Sequence, residues 1–467
     1  MKRCAAAAAS TVTSSTACPA SGASSTTTVT KVRRFDEIPG PTKFSGFFGR
    51  NRTLFRSKRS IAQYYDWLVD LHKHYGPIAK VDQGFGRGCV VHVFNPDDFR
   101  GCSRGVRVGW SPAVHSSTTR DDTKISGNEG NESRTGESHI RNESAKNNGE
   151  VDMRKVAGRW SLESAALTVF EKRLSIFTDQ IDWGDMLVDL NRSIFQLSAE
   201  LRFAFPFYRY VSTPKWKKMV ALEDKFYKEA NLLIDEAISK LRGSSQSEEE
   251  MKFASLLINR KELNVKDVSV ILLSMFSDGL STTAPMLVYN LFNIASNPNV
   301  QDELRQEVNS VVDRAGDITP THLSKLSFLR ACIKETFRLF PIGTEISRIP
   351  QKDLVLSGYH VPARTPVDIN TNVLMRSTSF FNDPLSFRPS RWLRDGNRHD
   401  FHPFSFLPFG FGPRMCAGRR FAEQDLQVVL CRLIQHFRIS HHHSPIEQTY
   451  ETLLLPKGCC DFHFSQL

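Results

Sequence analysis

The sequence predicts a mainly α fold with small β-sheets. Three observations predict it. Apolar residues recur at helical spacing over most of the chain from Trp160 onward. Strand-like runs are short and gather in two places, around 76–99 and 353–371, each broken by Gly or Pro. The chain has 467 residues and is 40% apolar, which fits one large domain or two lobes sharing an interior. No internal repeat is visible.

The elements follow in order. "IPGP", Ile38–Pro41, is a rigid non-helical start. Ile61 to His74 places Ile61, Tyr64, Tyr65, Leu68 and Leu71 on one helix face. "GPIAKVDQGFGRGCVVHVFNPDDF" reads as two strands around a Gly-rich turn, ended by "NP". From His115 to Glu150 the only aliphatic residues are Ile125, Ile140 and Ala145, and there is no Phe, Tyr or Trp. Such a composition cannot offset its ordering entropy, so 103–155 is expected to be disordered. Helical periodicity returns in "WSLESAALTVFEKRLSIF" from Trp160 and in Ser193–Phe203. "PKWKKMVALEDKFYKEANLLIDEAISKL" is one long helix with Pro214 in its first turn. Val265–Ala295 is a long apolar helix interrupted by "DGLSTTAP", with Pro285 expected to kink it. "NVQDELRQEVNSVV" is amphipathic. "THLSKLSFLRACIKETFRLFP" holds a turn and a helix stopped by Pro341. Short strands, a Pro-rich meander, a Cys-containing loop and a final helix, Arg419 to Phe437, close the chain.

Charge and cysteines narrow the function classes. The formal charge is +11, but residues 1–35 hold Lys2, Arg3, Lys31, Arg33 and Arg34 and no acid. The remainder is only modestly basic and calls for no nucleic-acid partner; a basic patch for an acidic partner accounts for it. The nine cysteines are scattered without a CxxC pair, which supports neither a disulfide framework nor a zinc site. The Ala/Ser/Thr-rich start, with basic residues and no long apolar run, suits a mitochondrial transit segment over 1–34 or a disordered tail.

Chemistry concentrates in "FLPFGFGPRMCAGRRFAE", Phe406–Glu423. Cys416 has Arg414 two residues before it, glycines on both sides and a helix start directly after. Positive charge and free amides favour a thiolate. Gly410, Gly412 and Gly418 let backbone approach a bulky planar ligand. A single thiolate in that setting suits an axial haem ligand, since the porphyrin supplies four others. A buried or phosphatase-type cysteine is the competing reading, but a phosphate cradle wants its Arg after the Cys.

The loop "FGFGPRMCAG", Phe409–Gly418, resembles the haem-binding F-x-x-G-x-R-x-C-x-G of cytochromes P450 at every fixed position. "ETFR", Glu335–Arg338, matches the family's E-x-x-R. "FRPSRW" resembles its P-E-R-F region, with Ser390 and Trp392 substituted. "DGLSTT", Asp278–Thr283, looks like its oxygen-binding stretch. The resemblance covers 35–100 and 156–467, within an N-terminal part over 35–102 and a catalytic part over 156–467. It implies a P450 fold, haem b held by Cys416, and a haem-thiolate monooxygenase. It implies a structural network of Glu335, Arg338 and Arg391 under the haem loop, with the first two on one helix face. Phe409, Gly412 and Gly418 would surround the haem, and Arg348 and Arg414 would pair with its propionates. An acid–threonine pair moves protons in the family. Thr282 aligns with the threonine, Ser281 stands where the acid usually is, and Asp278 is one turn earlier.

The leader and the paired Arg419 and Arg420 resemble the mitochondrial, ferredoxin-fed branch. Arg330 and Lys334 form a stripe where that branch docks an adrenodoxin-like ferredoxin, itself served by an NADPH-dependent reductase. A location on the matrix side of the inner mitochondrial membrane follows, as a peripheral protein. Substrates of the branch are small and apolar, mainly sterols and, in insects, ecdysteroids; the shadow-type hydroxylase is the member most resembled. Leu272, Met275, Ile342, Thr344 and Leu454 are pocket candidates. One feature departs from the family. Its W-x-x-x-R is missing between Phe99 and Trp160, so the B–C–D helical region is expected to be absent. Either 103–155 is a mistranslated stretch in an erroneous gene model, or the chain is a haem-deficient, non-catalytic relative.

Overall fold

The computed structural model describes residues 32–41, 61–83, 88–103, 126–242, 253–393 and 401–467. The expectation of a transit segment over 1–34 falls almost wholly outside them. The described chain is mainly helical with small sheets at its periphery.

The N-terminal portion forms α1 (Tyr64–Tyr75), β1 (Ile78–Asp82), β2 (Cys89–Val93) and α2 (Pro96–Ser103). Tyr64, Trp67, Leu68 and Leu71 are the buried face of α1, and Gly76 ends it at φ +79°, a conformation that favours glycine. β1 and β2 pair antiparallel, and β2 continues in parallel to β7 (Val367–Ile369). That strand in turn pairs antiparallel with β4 (Ile346–Arg348), giving the order β1-β2-β7-β4. The sheet thus ties the start of the chain to the segment after the E-x-x-R helix.

The expected disorder over 103–155 is corrected within its described part. Helix α3 (Ser126–Lys146) and strand β3 (Glu150–Asp152) stand there, and residues 104–125 lie outside the described set. Composition misleads because α3 is held by tertiary contacts rather than by propensity. Ile140 is buried in the main core, and the His139 ring tilts against Phe177. The Glu137 carboxylate accepts from Arg141 and faces His436, while Ser144 donates to the carbonyl of Phe464. β3 is the edge strand of the sheet β3-β11-β8, where β8 is Phe437–Ser440 and β11 is Asp461–Gln466. The expected loss of the whole B–C–D region is therefore too broad, since α2 and α3 flank the undescribed stretch.

Helix α4 (Met153–Phe170) begins seven residues before Trp160, because Asp152 caps it by accepting from the amide of Arg154. α5 (Ile181–Phe203) and α6 (Pro214–Arg242) pack side by side, and the short α7 (Phe253–Ile258) follows. α8 (Val265–Ala295) runs through the middle of the fold and packs most closely on α4. Asn264 and Asp267 form a reciprocal capping box at its start. α8 is long and apolar enough to cross a membrane, but its second half is core: every residue from Met286 to Leu291 is buried. α9 (Pro298–Val311), α10 (Pro320–Lys325) and α11 (Ser327–Leu339) lead to the small hairpin β5 (Leu354–Leu356) and β6 (Tyr359–Val361). α12 (Thr371–Met375) precedes the meander. α13 (Arg419–His436) starts directly after the cysteine loop, and a second hairpin pairs β9 (Glu447–Glu451) with β10 (Leu453–Lys457).

Candidate haem pocket

A cavity of about 850 Å³ lies between α8 and the loop before α13. Its α8 wall carries Met275, Asp278, Gly279 and Thr282; its opposite wall is Phe409–Gly410 and Pro413–Gly418. Cys416 is exposed, and its exposure is onto this cavity.

The loop is built to present that thiol. The Cys416 amide donates to the carbonyl of Phe409 at 2.9 Å, and the Met415 amide to that of Gly412 at 3.0 Å. Gly410 and Gly412 sit at φ +71° and +75°, where any Cβ is strained. Gly418 has an ordinary φ of −80° and is the N-cap of α13. Its value lies elsewhere: its amide and that of Arg419 face the Cys416 sulfur. Burial pushes the thiol's pKa up; the Gly418 amide pulls it down, Asp278 pushes it up, and Arg419 pulls it down. The Arg419 side chain rests over the Phe409 ring and pairs with Glu423. Phe409 meets Phe337 edge-on at 4.9 Å, which joins the loop to α11.

Beneath the loop, Glu335 is fully buried and accepts five hydrogen bonds. Arg338 donates two, from Nε at 2.9 Å and Nη2 at 2.8 Å. Arg391 Nε, the Arg388 amide and Trp392 Nε1 donate the others, each at 3.0 Å. Arg338 also reaches the carbonyls of Met375, Pro384 and Ser386. One carboxylate thus fastens α11 to the meander. Trp392 was seen in the sequence only as a departure from the family's Phe; its indole N–H is a further bond to the same carboxylate.

Among the described residues neither Arg348 nor Arg414 has a carboxylate partner, although both line the cavity. Arg348 donates only to the carbonyl of Ser347. Burial and then the neighbouring Arg414 cation lower its pKa, with Cys102 acting in the opposite sense. Two adjacent guanidiniums without anions, beside a lone thiol in a concave site, fit a planar group with two carboxylate arms. The residues present therefore suit haem.

On α8 the three candidates separate. Asp278 and Thr282 line the cavity, and burial raises the Asp278 pKa. The Thr282 hydroxyl donates to the Asp278 carbonyl at 2.7 Å. Ser281 is only 8% exposed and does not line the cavity; its hydroxyl is also turned onto the Asp278 carbonyl, at 3.2 Å. Its expected catalytic place is corrected: one residue along a helix is a rotation of about 100°, which takes Ser281 off the cavity face. The same phase error affects the pocket candidates. Met275 and Ile342 line the cavity, whereas Leu272, Thr344 and Leu454 are buried in core. On β10, alternation puts Leu453 on the cavity side instead.

Two lining features had no sequence signal. Glu345 pairs with Arg202 of α5, which also donates to the Tyr450 hydroxyl. Burial raises the Glu345 pKa, but Arg202 and Thr344 outweigh it and the net shift is downward. Asn372 donates to the carbonyl of Gly343, fixing the turn that follows α11. Of the expected docking residues, Lys334 and Arg420 are exposed, and Arg330 is half-buried with Nη1 on the carbonyls of Leu323 and Ser324.

Among the described cysteines only Cys416 lines the cavity. Burial raises the Cys102 and Cys431 thiols to about 12, and Cys332 and Cys460 are buried. Cys459 lies outside the lining and donates to Asp461 at 2.9 Å.

Comparison with known proteins agrees with this architecture. The cytochrome P450 family model matches residues 136–462, a match that begins within α3. The chain is 47% identical to "Probable cytochrome P450 CYP44" of Caenorhabditis elegans, covering 94% of this chain and 95% of that protein. It is 27% identical to "Probable cytochrome P450 12c1, mitochondrial" of Drosophila melanogaster, over 91% and 90% of the two chains. A third relative, "Cytochrome P450 10" of Lymnaea stagnalis, is 30% identical over 68% of this chain and 58% of its own length. Helical core, thiol loop, buried carboxylate clamp and sequence similarity converge: this chain belongs to the cytochrome P450 family of haem-thiolate monooxygenases.

Proposed function

We propose that Cys416 supplies the haem thiolate and that the protein hydroxylates a small apolar substrate with electrons from a ferredoxin. The observation that carries this reading is the cavity itself. It unites one thiol, two arginines without anion partners among the described residues, and the Asp278–Thr282 face of α8. Haem, when bound, supplies oxygen activation. The chain's own residues do the rest. The amides of Gly418 and Arg419 hold negative charge on sulfur. Arg348 and Arg414 take the carboxylate arms. Asp278, whose proton is retained to higher pH by burial, is the proton source facing the reacting region, with Thr282 beside it. Met275, Ile342, Phe337 and Leu453 exclude water and present an apolar face to substrate.

A sterol or ecdysteroid-like substrate is the class this apolar lining supports. Mitochondrial placement is supported by relatives whose names carry that word, such as the 12c1 protein, and a ferredoxin-fed enzyme there would face the matrix. Lys334 and Arg420, with Arg419 nearby, offer the positive surface for an acidic ferredoxin. The test is reconstitution with an adrenodoxin-like ferredoxin, its NADPH-dependent reductase and a panel of sterols and ecdysteroids. Ferredoxin-dependent formation of a product one oxygen heavier supports the reading. Turnover only with peroxide, or no hydroxylation of any sterol by a haem-loaded chain, refutes it.

A further inference from the structure

On the C-terminal sheet, outside the haem cavity, three donor groups of different chemistry converge. The nearest ligand atoms of His443, Cys459 and Asp461 all lie within 4.8 Å of one another. They come from separate segments: the β8–β9 loop, the turn after β10, and the first residue of β11. None of them lines the cavity. Cys459 Sγ is 2.9 Å from Asp461 Oδ2, and His443 Nε2 is 3.7 Å from Oε2 of Glu150 on β3. That Glu150 oxygen is buried and has no hydrogen-bond partner. Such an atom costs free energy unless something satisfies it.

We propose that His443, Cys459, Asp461 and Glu150 form a structural zinc site. The donor set of one thiolate, one imidazole and two carboxylates is the borderline mixture that zinc takes in four-coordinate sites. Ligand bonds of about 2.0–2.3 Å require His443, Cys459 and Asp461 to close by about an ångström, and Glu150 to swing in from its place beside His443. The surroundings already hold them. His441 engages the carbonyl of Cys459 at 3.3 Å, and its ring lies 5.5 Å from that of His443. Cys460 is turned inward, with Arg154 Nη2 3.2 Å from its sulfur, which leaves Cys459 facing out. Arg154 is committed to the Cys460 sulfur and the carbonyls of Pro456 and Gly458. On binding, the metal takes the place of the thiol proton that Cys459 now donates to Asp461, and that proton leaves to solvent. The ion would cross-link β3 to the β8–β9 loop and the β10–β11 turn, pinning the sheet strand between the end of α3 and the start of α4.

The experiment uses the untagged, haem-loaded full chain, equilibrated with micromolar zinc and desalted. Zinc and iron are then counted per chain by mass spectrometry. About one zinc per chain is expected. Cys459→Ser and His443→Ala each lose it, and Glu150→Gln weakens binding about tenfold or more, with iron content unchanged in all three. Unchanged iron shows that the fold survives. Cys416→Ser gives the opposite pattern, zinc retained and iron lost. A wild-type chain that keeps no zinc, or a Cys459→Ser/His443→Ala double variant that keeps it in full, overturns the proposal.

Discussion

Glu335→Gln is the sharpest test of how the haem loop is supported. Glu335 is fully buried and accepts all five of its hydrogen bonds from Arg338, Arg391, Arg388 and Trp392. The amide keeps the shape but removes the charge, and one of its two heads becomes a donor. Whichever way it turns, an N–H2 group then faces an arginine N–H. Arg338 and Arg391, 0% and 4% exposed, are left as buried cations without a counter-ion. Breaking one side of such a buried pair costs about 3–5 kcal/mol. That is a large share of the ~5–15 kcal/mol that separates folded from unfolded chains. The damage is directed: Arg338 holds the carbonyls of Met375, Pro384 and Ser386, and α11 touches the haem loop through Phe337 and Phe409. Urea unfolding and haem content of wild type and variant are measured side by side. The variant is expected to unfold at clearly lower urea and to retain little haem. A stability change below about 0.5 kcal/mol, the scale of an unremarkable surface substitution, would refute the reasoning.

Other outcomes follow from the same geometry. Gly412→Ala forces an L-residue to φ +75° and is expected to cost about 1–2 kcal/mol and lower haem occupancy; normal occupancy would show that the loop relaxes freely. Asp278→Asn is expected to cut hydroxylation about a hundredfold while leaving the carbon-monoxide spectrum of the ferrous protein intact; unchanged turnover would place the proton route elsewhere. Asp425 is buried, hydrogen-bonded by Ser164, and its pKa is raised by burial to about 7. The native state then binds more protons than the unfolded state between pH 3.8 and about 7, so this group's stabilisation is full below pH 3.8 and is lost as pH rises through 7. Asp425→Asn should flatten the fall in urea midpoint over that window; a wild-type curve with no such fall would contradict the assignment. Arg348→Ala and Arg414→Ala should each weaken haem retention, and an unaltered haem off-rate in both would remove them from the propionate role.

Much of this was legible in the sequence because it depends on residue type at fixed spacing. Glu335 and Arg338 share a helix face by arithmetic, and Val265–Ala295 has the bounds its apolar run implies. The cysteine loop carries its glycines where the backbone adopts positive φ at 410 and 412. What failed depends on three-dimensional phase or on distant partners. Ser281 and Leu454 are each one position from residues that do line the cavity, and no single-sequence pattern fixes that rotation. α3 looks disordered by composition; Glu137, Ile140 and Ser144 are ordered by His436, the core and Phe464, contacts hundreds of residues away. Arg330 resembles a free surface charge until the carbonyls of Leu323 and Ser324 are seen at its tip. The His443–Cys459–Asp461 cluster spans a hairpin, so its spacing matches no contiguous zinc motif.

The most direct test of the central claim is the carbon-monoxide difference spectrum of the reduced chain, recorded for wild type, Cys416→Ser and Cys459→Ser. Wild type and Cys459→Ser are expected to show the red-shifted Soret band of thiolate-ligated haem, and Cys416→Ser to lose it. Persistence of that band in Cys416→Ser, or its absence from a haem-loaded wild-type chain, would contradict it.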